Sequence, residues 1–158
     1  MPSATVPFPT IRRERTLAAP PHAVYRAWLD PQLVRRWLAP GGPAPVRAEI
    51  DERVGGRYRV HQPRPDVPVD GFEAELLELV PDERIVLRWG FTGSGREEGP
   101  HFDSLLTVTL HPAPGGGTRL VLLHEHLGAL AEALPEAAAQ AAGGWDALLD
   151  GLTAAVAA

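Results

Sequence analysis

The sequence contains no cysteine and no lysine, and it has a single methionine among its 158 residues. Without cysteine, disulfide bonds, thiolate nucleophiles and thiolate metal sites are excluded. All 15 basic residues are therefore arginines, and they are interspersed with 20 acidic residues, which leaves a formal net charge of −5. Because the basic residues form no cluster along the chain, we expect no nucleic-acid partner.

The sequence also lacks any long hydrophobic run. No apolar stretch approaches the roughly 20 residues that a membrane-spanning helix needs, so we expect no membrane insertion. The N-terminus has no basic segment followed by an apolar one, so we expect no signal peptide and a cytoplasmic location. A content of 44% hydrophobic and 22% charged residues is typical of one globular domain.

The start of the chain combines a tail with a strand and two short helices. Residues 1–10 carry three prolines without periodicity and are predicted to be a flexible tail, whereas residues 11–158 form a single domain. The domain begins with a strand pattern at residues 11–17. Asp30-Pro31 then separates two predicted helices, at residues 22–29 and 32–38.

After residue 45 the pattern changes from helical to strand-like. Polar and apolar side chains alternate, as is typical of half-buried antiparallel strands. Short turns join most of these segments, which implies pairing between sequential neighbours. The predicted strands cover residues 46–52, 57–61, 70–80, 84–91, 103–111 and 118–126.

The last predicted element is a long helix at residues 135–156. One helical face carries its large apolar side chains, which are Trp145, Leu148, Leu149, Leu152 and Val156. Gly143-Gly144 inside this helix suggests a bend, a close approach to another surface, or empty space beside it. Because only this helix is long enough to cover a sheet, we predict an α+β fold: a curved antiparallel sheet of about seven strands around the C-terminal helix.

Several short motifs occur in a defined order along nearly the whole chain. They lie at residues 19–31 (APPHAVYRAWLDP), 34–40 (VRRWLAP), 54–60 (VGGRYRV), 78–89 (ELVPDERIVLRW), 116–120 (GGTRL), 124–125 (HE) and 144–149 (GWDALL). With these motifs the chain resembles the START-like, helix-grip (birch-pollen-allergen-like) superfamily known as SRPBCC. Within it, the chain is most similar to the activator of heat-shock-protein-90 ATPase homologue group.

This resemblance implies a hydrophobic cavity between the long helix and the concave sheet. It implies no single function, because members of the superfamily bind lipids, hormones or polyketides and a few cyclise or dehydrate them. A chaperone partner is a further implication of the group's name. The resemblance to the ATPase activator itself covers only its START-like domain.

Aromatic residues are spread through different predicted elements that the fold would bring together. Most of them, including Trp37, Phe72 and Phe102, are expected simply to build the core. Four tryptophans, one of them beside two glycines, also suit an apolar pocket with a few polar groups. The predicted lining residues are Trp28, Tyr58, Trp89, Leu106, Val108, Leu122, His124, Trp145 and Leu149.

Two histidines, His124 and His126, share one face of a predicted strand. A metal site would need a third ligand such as His61 or His101, and nothing in the sequence supplies one, so we predict neither a metal nor a cofactor. A general acid–base role for His124 is the alternative if the protein is an enzyme. A hydrogen bond that supports the core or orients a ligand is the preferred role.

Acidic residues alternate in the strand at residues 70–80. Glu73 and Glu75 share a face, and Glu78 lies on the other face unless a bulge intervenes. Paired carboxylates can perform acid–base catalysis, but this pattern is more typical of a solvated face. The arginines Arg57, Arg59 and Arg88 are expected to form exposed cross-strand pairs there, with the alternative that one reaches a ligand carboxylate at the cavity mouth.

Three hypotheses of different classes follow. The first is a binding module that holds a hydrophobic or amphipathic small molecule, with Tyr58 and His124 orienting its polar end. The second is a cyclase-type or dehydratase-type enzyme with His124 as general base. The third is a co-chaperone-like module that regulates an ATPase through its outer surface, and a homodimer also remains open. A core filled by its own side chains would argue against the first two hypotheses.

Overall fold

The computed structural model describes residues 10–38, 47–61, 71–92, 104–126 and 135–157. Several sequence predictions fall outside the described residues: the tail at residues 1–9, the segment at 93–100, His101 and Phe102. The same holds for the side chains of His61 and Phe72 and for those of residues 135–143.

The elements follow in the predicted order, and the predicted α+β helix-grip fold is confirmed. Within the described residues there are seven strands and three α-helices. They are β1 (Ile11–Leu17), α1 (Pro21–Leu29), α2 (Pro31–Trp37), β2 (Arg47–Ile50), β3 (Arg57–His61), β4 (Gly71–Val80), β5 (Arg84–Thr92), β6 (Ser104–Pro112), β7 (Thr118–Glu125) and α3 (Pro135–Ala157).

The seven strands form one curved antiparallel sheet in the order β1-β7-β6-β5-β4-β3-β2. Only the pairing of β1 with β7 joins strands that are distant in sequence. The helix α3 packs against α1, α2 and β1, so it lies on the concave face. Among the described residues, no helix combines the length and the apolar character that crossing a bilayer requires.

Prolines and one aspartate define the paired helices α1 and α2. Pro21 and Pro31 each occupy the first turn of a helix, where a missing N–H is harmless. The Asp30 side chain accepts a hydrogen bond of 2.9 Å from the backbone N–H of Gln32, which caps α2. The Asp30-Pro31 pair therefore ends one helix and starts the next within two residues.

The strand β4 contains a bulge that changes which face its acidic residues occupy. Its register against β5 shifts between Leu76 and Glu78, and Leu77 is the extra residue. Glu78 consequently pairs with Val86 on the outer face, the same face on which Glu75 pairs with Arg88. The bulge that the sequence analysis named as an exception is present, and Glu78 joins the other two glutamates outside.

The glycines of α3 play different packing roles. Gly144 is exposed, and a Cβ added there would have no atom within 4 Å, so the space beside it is open. Close packing occurs two turns later, where a Cβ on Gly151 would lie 3.5 Å from Cβ of Trp37. The small residue that lets α3 approach α2 is therefore Gly151.

Candidate functional site

Five aromatic side chains from five elements meet between α3 and the sheet. The ring centroids of Trp28 and Trp37 are 4.6 Å apart, and those of Trp28 and Trp145 are 6.2 Å apart. Trp89 lies 5.7 Å from Trp145 and 6.1 Å from Tyr58. We call these five residues the aromatic cluster. Such spacings are within the favourable range for tilted and edge-on ring pairs.

The register of the sheet explains how two of these rings meet. Tyr58, Ala74 and Trp89 lie side by side on the neighbouring strands β3, β4 and β5. Two strands separated by a third are nearly 10 Å apart. Because the residue between them is alanine, the two large rings can lean together over it to 6.1 Å.

A chain of hydrogen bonds runs through the buried region next to the cluster. Nε1 of Trp145 donates to Nδ1 of His124 at 3.0 Å. Nε2 of His124 lies 2.7 Å from Oγ of Ser104, whose hydroxyl donates to the carbonyl oxygen of Trp89 at 2.8 Å. An indole N–H can only donate, so Nδ1 is the acceptor and Nε2 carries the proton. We call the residues Trp145, His124 and Ser104 the polar chain.

Burial sets the protonation of the titratable groups in this region. It lowers the pKa of His124 from its ordinary value of 6.5 to about 4, so the imidazole is neutral at physiological pH. Burial also raises the pKa of Tyr58, whose hydroxyl donates a 2.6 Å hydrogen bond to the carbonyl oxygen of Trp28. Both groups are therefore neutral hydrogen-bonding groups.

The indole N–H of Trp28 is a buried donor without an acceptor in the described part of the chain. Nε1 of Trp28 is inaccessible and has no hydrogen-bond partner among the described residues. An unsatisfied buried donor destabilises a folded protein by about 1–3 kcal/mol. The indole of Trp37, by comparison, donates to the carbonyl oxygen of Ala27 at 2.9 Å.

All the predicted lining residues lie in one buried cluster with exposed fractions of at most 2%. At that level solvent does not reach these side chains, so the hollow expected from the sequence is not open to solvent at these positions. These residues are Trp28, Tyr58, Trp89, Leu106, Val108, Leu122, His124, Trp145 and Leu149.

Charged residues border the site where α3 meets the edge strand β1. Arg13 and Arg15 pair with Leu122 and Leu120 of β7, so they point to the concave face. Nε of Arg13 lies 2.7 Å from Oδ1 of Asp146, and a guanidinium nitrogen of Arg15 lies 3.3 Å from Oδ1 of Asp150. We call these contacts the rim ion pairs. They connect α3 to β1, and the first of them lies one residue beyond Trp145.

Comparison with protein families identifies the chain. The model of the family described as "Activator of Hsp90 ATPase homolog 1-like protein" matches residues 18–157. The chain belongs to this family. No curated protein matches it.

Solved structures similar to this family member cover most of its length. A protein from Chromobacterium violaceum, CV1439, is 34% identical with a TM-score of 0.72 over 93% of this chain and 96% of its own. Mll3558 from Rhizobium loti is 30% identical with a TM-score of 0.69 over the same shares. An Hsp90 activator from Plasmodium falciparum is 23% identical with a TM-score of 0.57 over 75% of this chain and 73% of its own, which is a similarity of fold.

The outer face of this family member carries its charged residues away from the aromatic cluster. A depression of about 330 Å³ is lined by Arg57, Glu73, Glu75 and Arg88 together with the Gly55-Gly56 turn. Arg57 lies 3.7 Å from Glu73, and Arg88 contacts Glu75. Because these arginines, like Arg59 beside Glu73, lie on the convex side, none of them reaches the buried site.

The histidines of this family member do not assemble a metal site in the part of the chain that the structure describes, where no group of three potential ligands occurs. His124 engages both ring nitrogens with neighbouring side chains. His126 lies beyond the end of β7, exposed and with a φ of 63°.

Sequence reasoning missed three residues of this site. Ser104 completes the polar chain, and Arg13 and Arg15 form the rim ion pairs. The signal for Ser104 was present, because it shares the alternating buried face of β6 with Leu106 and Val108. The polar residue on an otherwise apolar face is the informative one.

Proposed function

We propose that this protein binds a hydrophobic or amphipathic small molecule at the aromatic cluster, between α3 and the concave face of the sheet. The observation that carries this proposal is the polar chain, in which an imidazole and a hydroxyl lie fully buried among aromatic rings. Burying such groups costs free energy that apolar side chains would not. A few convergent polar groups in an aromatic environment are typical of small-molecule sites.

The residues of the site would have two roles in binding. Tyr58 and His124 orient the polar end of the ligand through their neutral hydrogen-bonding groups. The apolar wall comes from both the sheet and the helices. Its members are Trp28, Trp89, Leu106, Val108, Leu122, Trp145 and Leu149.

Binding requires α3 to move, because the lining side chains are inaccessible to solvent. The rim ion pairs hold this helix to β1, and their side chains are 27–75% exposed. Exposed ion pairs of this kind contribute about 0–1 kcal/mol each. The connection of α3 to the edge strand is therefore the least costly contact to open, and opening it exposes Trp145 and His124.

Native mass spectrometry of the protein purified gently from its own host tests this proposal. We expect a retained hydrophobic compound that is lost from Trp145→Ala. The control Leu77→Ala, which changes an exposed residue on the outer face, should retain it. An empty protein that also shows no heat of binding with ethylnaphthalene would contradict the proposal.

The geometry favours binding over catalysis at this site. A general base needs a free lone pair, and Nδ1 of His124 already accepts from Trp145. The hydroxyl of Ser104 donates to the carbonyl of Trp89, so His124 does not activate it as a nucleophile. An enzymatic role would require at least one of these hydrogen bonds to break on substrate binding.

A second candidate function, an interaction with a chaperone ATPase, is suggested by the family description and by a small apolar surface. Val54 and Leu77 are 60% and 38% exposed. Each is adjacent in sequence to one partner of the hydrogen bond from the Gly55 N–H to the Leu76 carbonyl at 2.7 Å. A purified Hsp90 from the same host should then show increased ATPase activity with the wild-type protein and a smaller increase with Val54→Asp. Equal activity with and without the protein would exclude this candidate.

A further inference from the structure

We infer that the ligand of this site is a neutral aromatic compound whose polar end is a hydrogen-bond acceptor, such as a ketone carbonyl, received by Nε1 of Trp28. This inference rests on the proposed function and adds to it the chemical class of the ligand. It rests on three observations: the hydrogen bonds that the polar groups of the site already make, the unsatisfied N–H of Trp28, and the lack of ionised groups among the described residues of the site.

Within the described residues, the hydrogen bonds of the site leave the indole N–H of Trp28 unsatisfied. Trp145 donates its indole N–H to His124, and His124 donates its ring N–H to Ser104. Ser104 in turn donates its hydroxyl to a backbone carbonyl. The hydroxyl of Tyr58 likewise donates a hydrogen bond to a backbone carbonyl. Nε1 of Trp28 is the buried donor with no acceptor among the described residues. A ligand acceptor placed there would remove the desolvation penalty of that N–H.

The same region offers no charge to an ionised ligand. Among the described residues, the buried polar or charged side chains are Ser104, Thr118 and His124, and none of them is ionised at neutral pH. Two arginines on the concave face, Arg13 and Arg15, are already paired with Asp146 and Asp150. A carboxylate or ammonium group would therefore be desolvated without a counter-charge, which is strongly unfavourable.

The spacing of the rings favours a flat ligand. Trp28 and Trp145 are 6.2 Å apart with an interplanar angle of 37°. Rings in such tilted contact leave no gap between them, so a ligand enters only after α3 moves away. A flat ring then needs a smaller opening than a bulky aliphatic molecule, and ring–ring contacts within the aromatic cluster favour it further.

Three probes of nearly identical shape test the inference: methyl naphthyl ketone, ethylnaphthalene and naphthoate, titrated calorimetrically into the full-length protein. We expect the ketone to bind about five- to tenfold more tightly than the hydrocarbon, as one neutral hydrogen bond implies. We expect naphthoate to bind roughly a hundredfold more weakly than the ketone, or not measurably. The variant Trp28→Phe should bind ketone and hydrocarbon equally.

A second readout uses the wild-type protein, in case Trp28→Phe does not fold. In the proton–nitrogen correlation spectrum, the indole proton of Trp28 should move downfield with the ketone and not with ethylnaphthalene. The indole proton of Trp37, which is already bonded to a carbonyl, provides the internal control.

The outcomes separate this inference from the proposed function. If ketone and hydrocarbon bind equally to the wild-type protein, or if naphthoate binds most tightly, the ligand class is wrong and the binding function stands. If none of the three probes binds and the purified protein retains a compound, the ligand class alone is wrong; if none binds and the purified protein is empty, the proposed function itself is contradicted. Ketone selectivity that disappears in Trp28→Phe supports both.

Discussion

The two faces of the sheet carry polar side chains in opposite surroundings. On the convex face, Arg57 and Arg88 pair with glutamates in contact with solvent. On the concave face, Tyr58 and His124 make hydrogen bonds that solvent does not reach. Exposed pairs compete with water and contribute little, whereas buried groups are strongly affected by the loss of a partner. Function is therefore best sought where polar groups are few and buried.

The largest contrast between the faces should come from removing apolar volume. Leu87 is fully buried on the concave face, and Leu77 is 38% exposed at the bulge. We expect Leu87→Ala to lower the free energy of unfolding by about 2–5 kcal/mol, because it leaves a cavity. Leu77→Ala should change it by about 0.5 kcal/mol or less. Urea denaturation measures both, and equal losses would show that the described core is not the stabilising one.

The pH dependence of stability should report on the concave face. Burial lowers the pKa of His124 to about 4, whereas the unfolded chain has the ordinary value of 6.5. Below pH 6.5 the unfolded state takes up the proton first, so stability is present above that pH and is lost as the pH falls toward 4. The expected loss is on the order of 3 kcal/mol.

Two variants separate this effect from the titration of carboxylates. His124→Gln keeps an acceptor for Trp145 and a donor for Ser104 but does not titrate, so its stability should depend less on pH between 6.5 and 4. His111→Gln, on the convex face, is the matched surface control for this substitution. If the free energy of unfolding depends on pH in the same way for the wild type and for His124→Gln, the imidazole of His124 is not buried in its neutral form.

The two tyrosines of the chain offer a matched pair of single-atom changes. Tyr58→Phe removes the donor to the Trp28 carbonyl and should lower the free energy of unfolding by about 1–3 kcal/mol. Tyr25→Phe removes a hydroxyl that has no hydrogen bond among the described residues. We expect that change to lower the free energy of unfolding by less than Tyr58→Phe does, because it leaves no acceptor unpaired, as measured by thermal or urea unfolding.

The smallest effects on stability should come from charges. Asp146→Asn breaks a rim ion pair and Glu75→Gln breaks a pair on the convex face, and each should cost about 1 kcal/mol or less. The two variants should differ in ligand access. Stopped-flow mixing with methyl naphthyl ketone should show faster association for Asp146→Asn only, because α3 is then held less firmly to β1. The same rate for both variants would show that the rim ion pairs do not control entry.

Much of the fold followed from the sequence because the periodicity changes where the elements change. The strand predicted at residues 70–80 is found at Gly71–Val80, and the helix predicted at 135–156 is found at Pro135–Ala157. The bulge at Leu77 could only be named as an exception. Alternation assigns faces only while a strand is regular, and one extra residue reverses the assignment for every residue after it.

The candidate site was predictable in its aromatic residues and not in its polar connections. Tyr58, His124 and Trp145 were selected because their spacing placed them on the inner faces of their elements. Ser104 was missed because its partnership with His124 depends on the register between β6 and β7, which no local pattern contains. The filling of the interior depends on side-chain conformations, which periodicity does not determine.

The tight grouping of the tryptophans also gives the protein an optical property. All four indoles lie in one connected series, Trp37, Trp28, Trp145 and Trp89, with neighbouring centroids 4.6–6.2 Å apart. Chromophores this close couple their electronic transitions, so the near-ultraviolet circular dichroism should show a strong paired band. That coupling weakens steeply with separation, and the near-ultraviolet signal is lost when tertiary packing loosens. A weaker near-ultraviolet signal would therefore report that Trp145 and its helix have moved from the sheet.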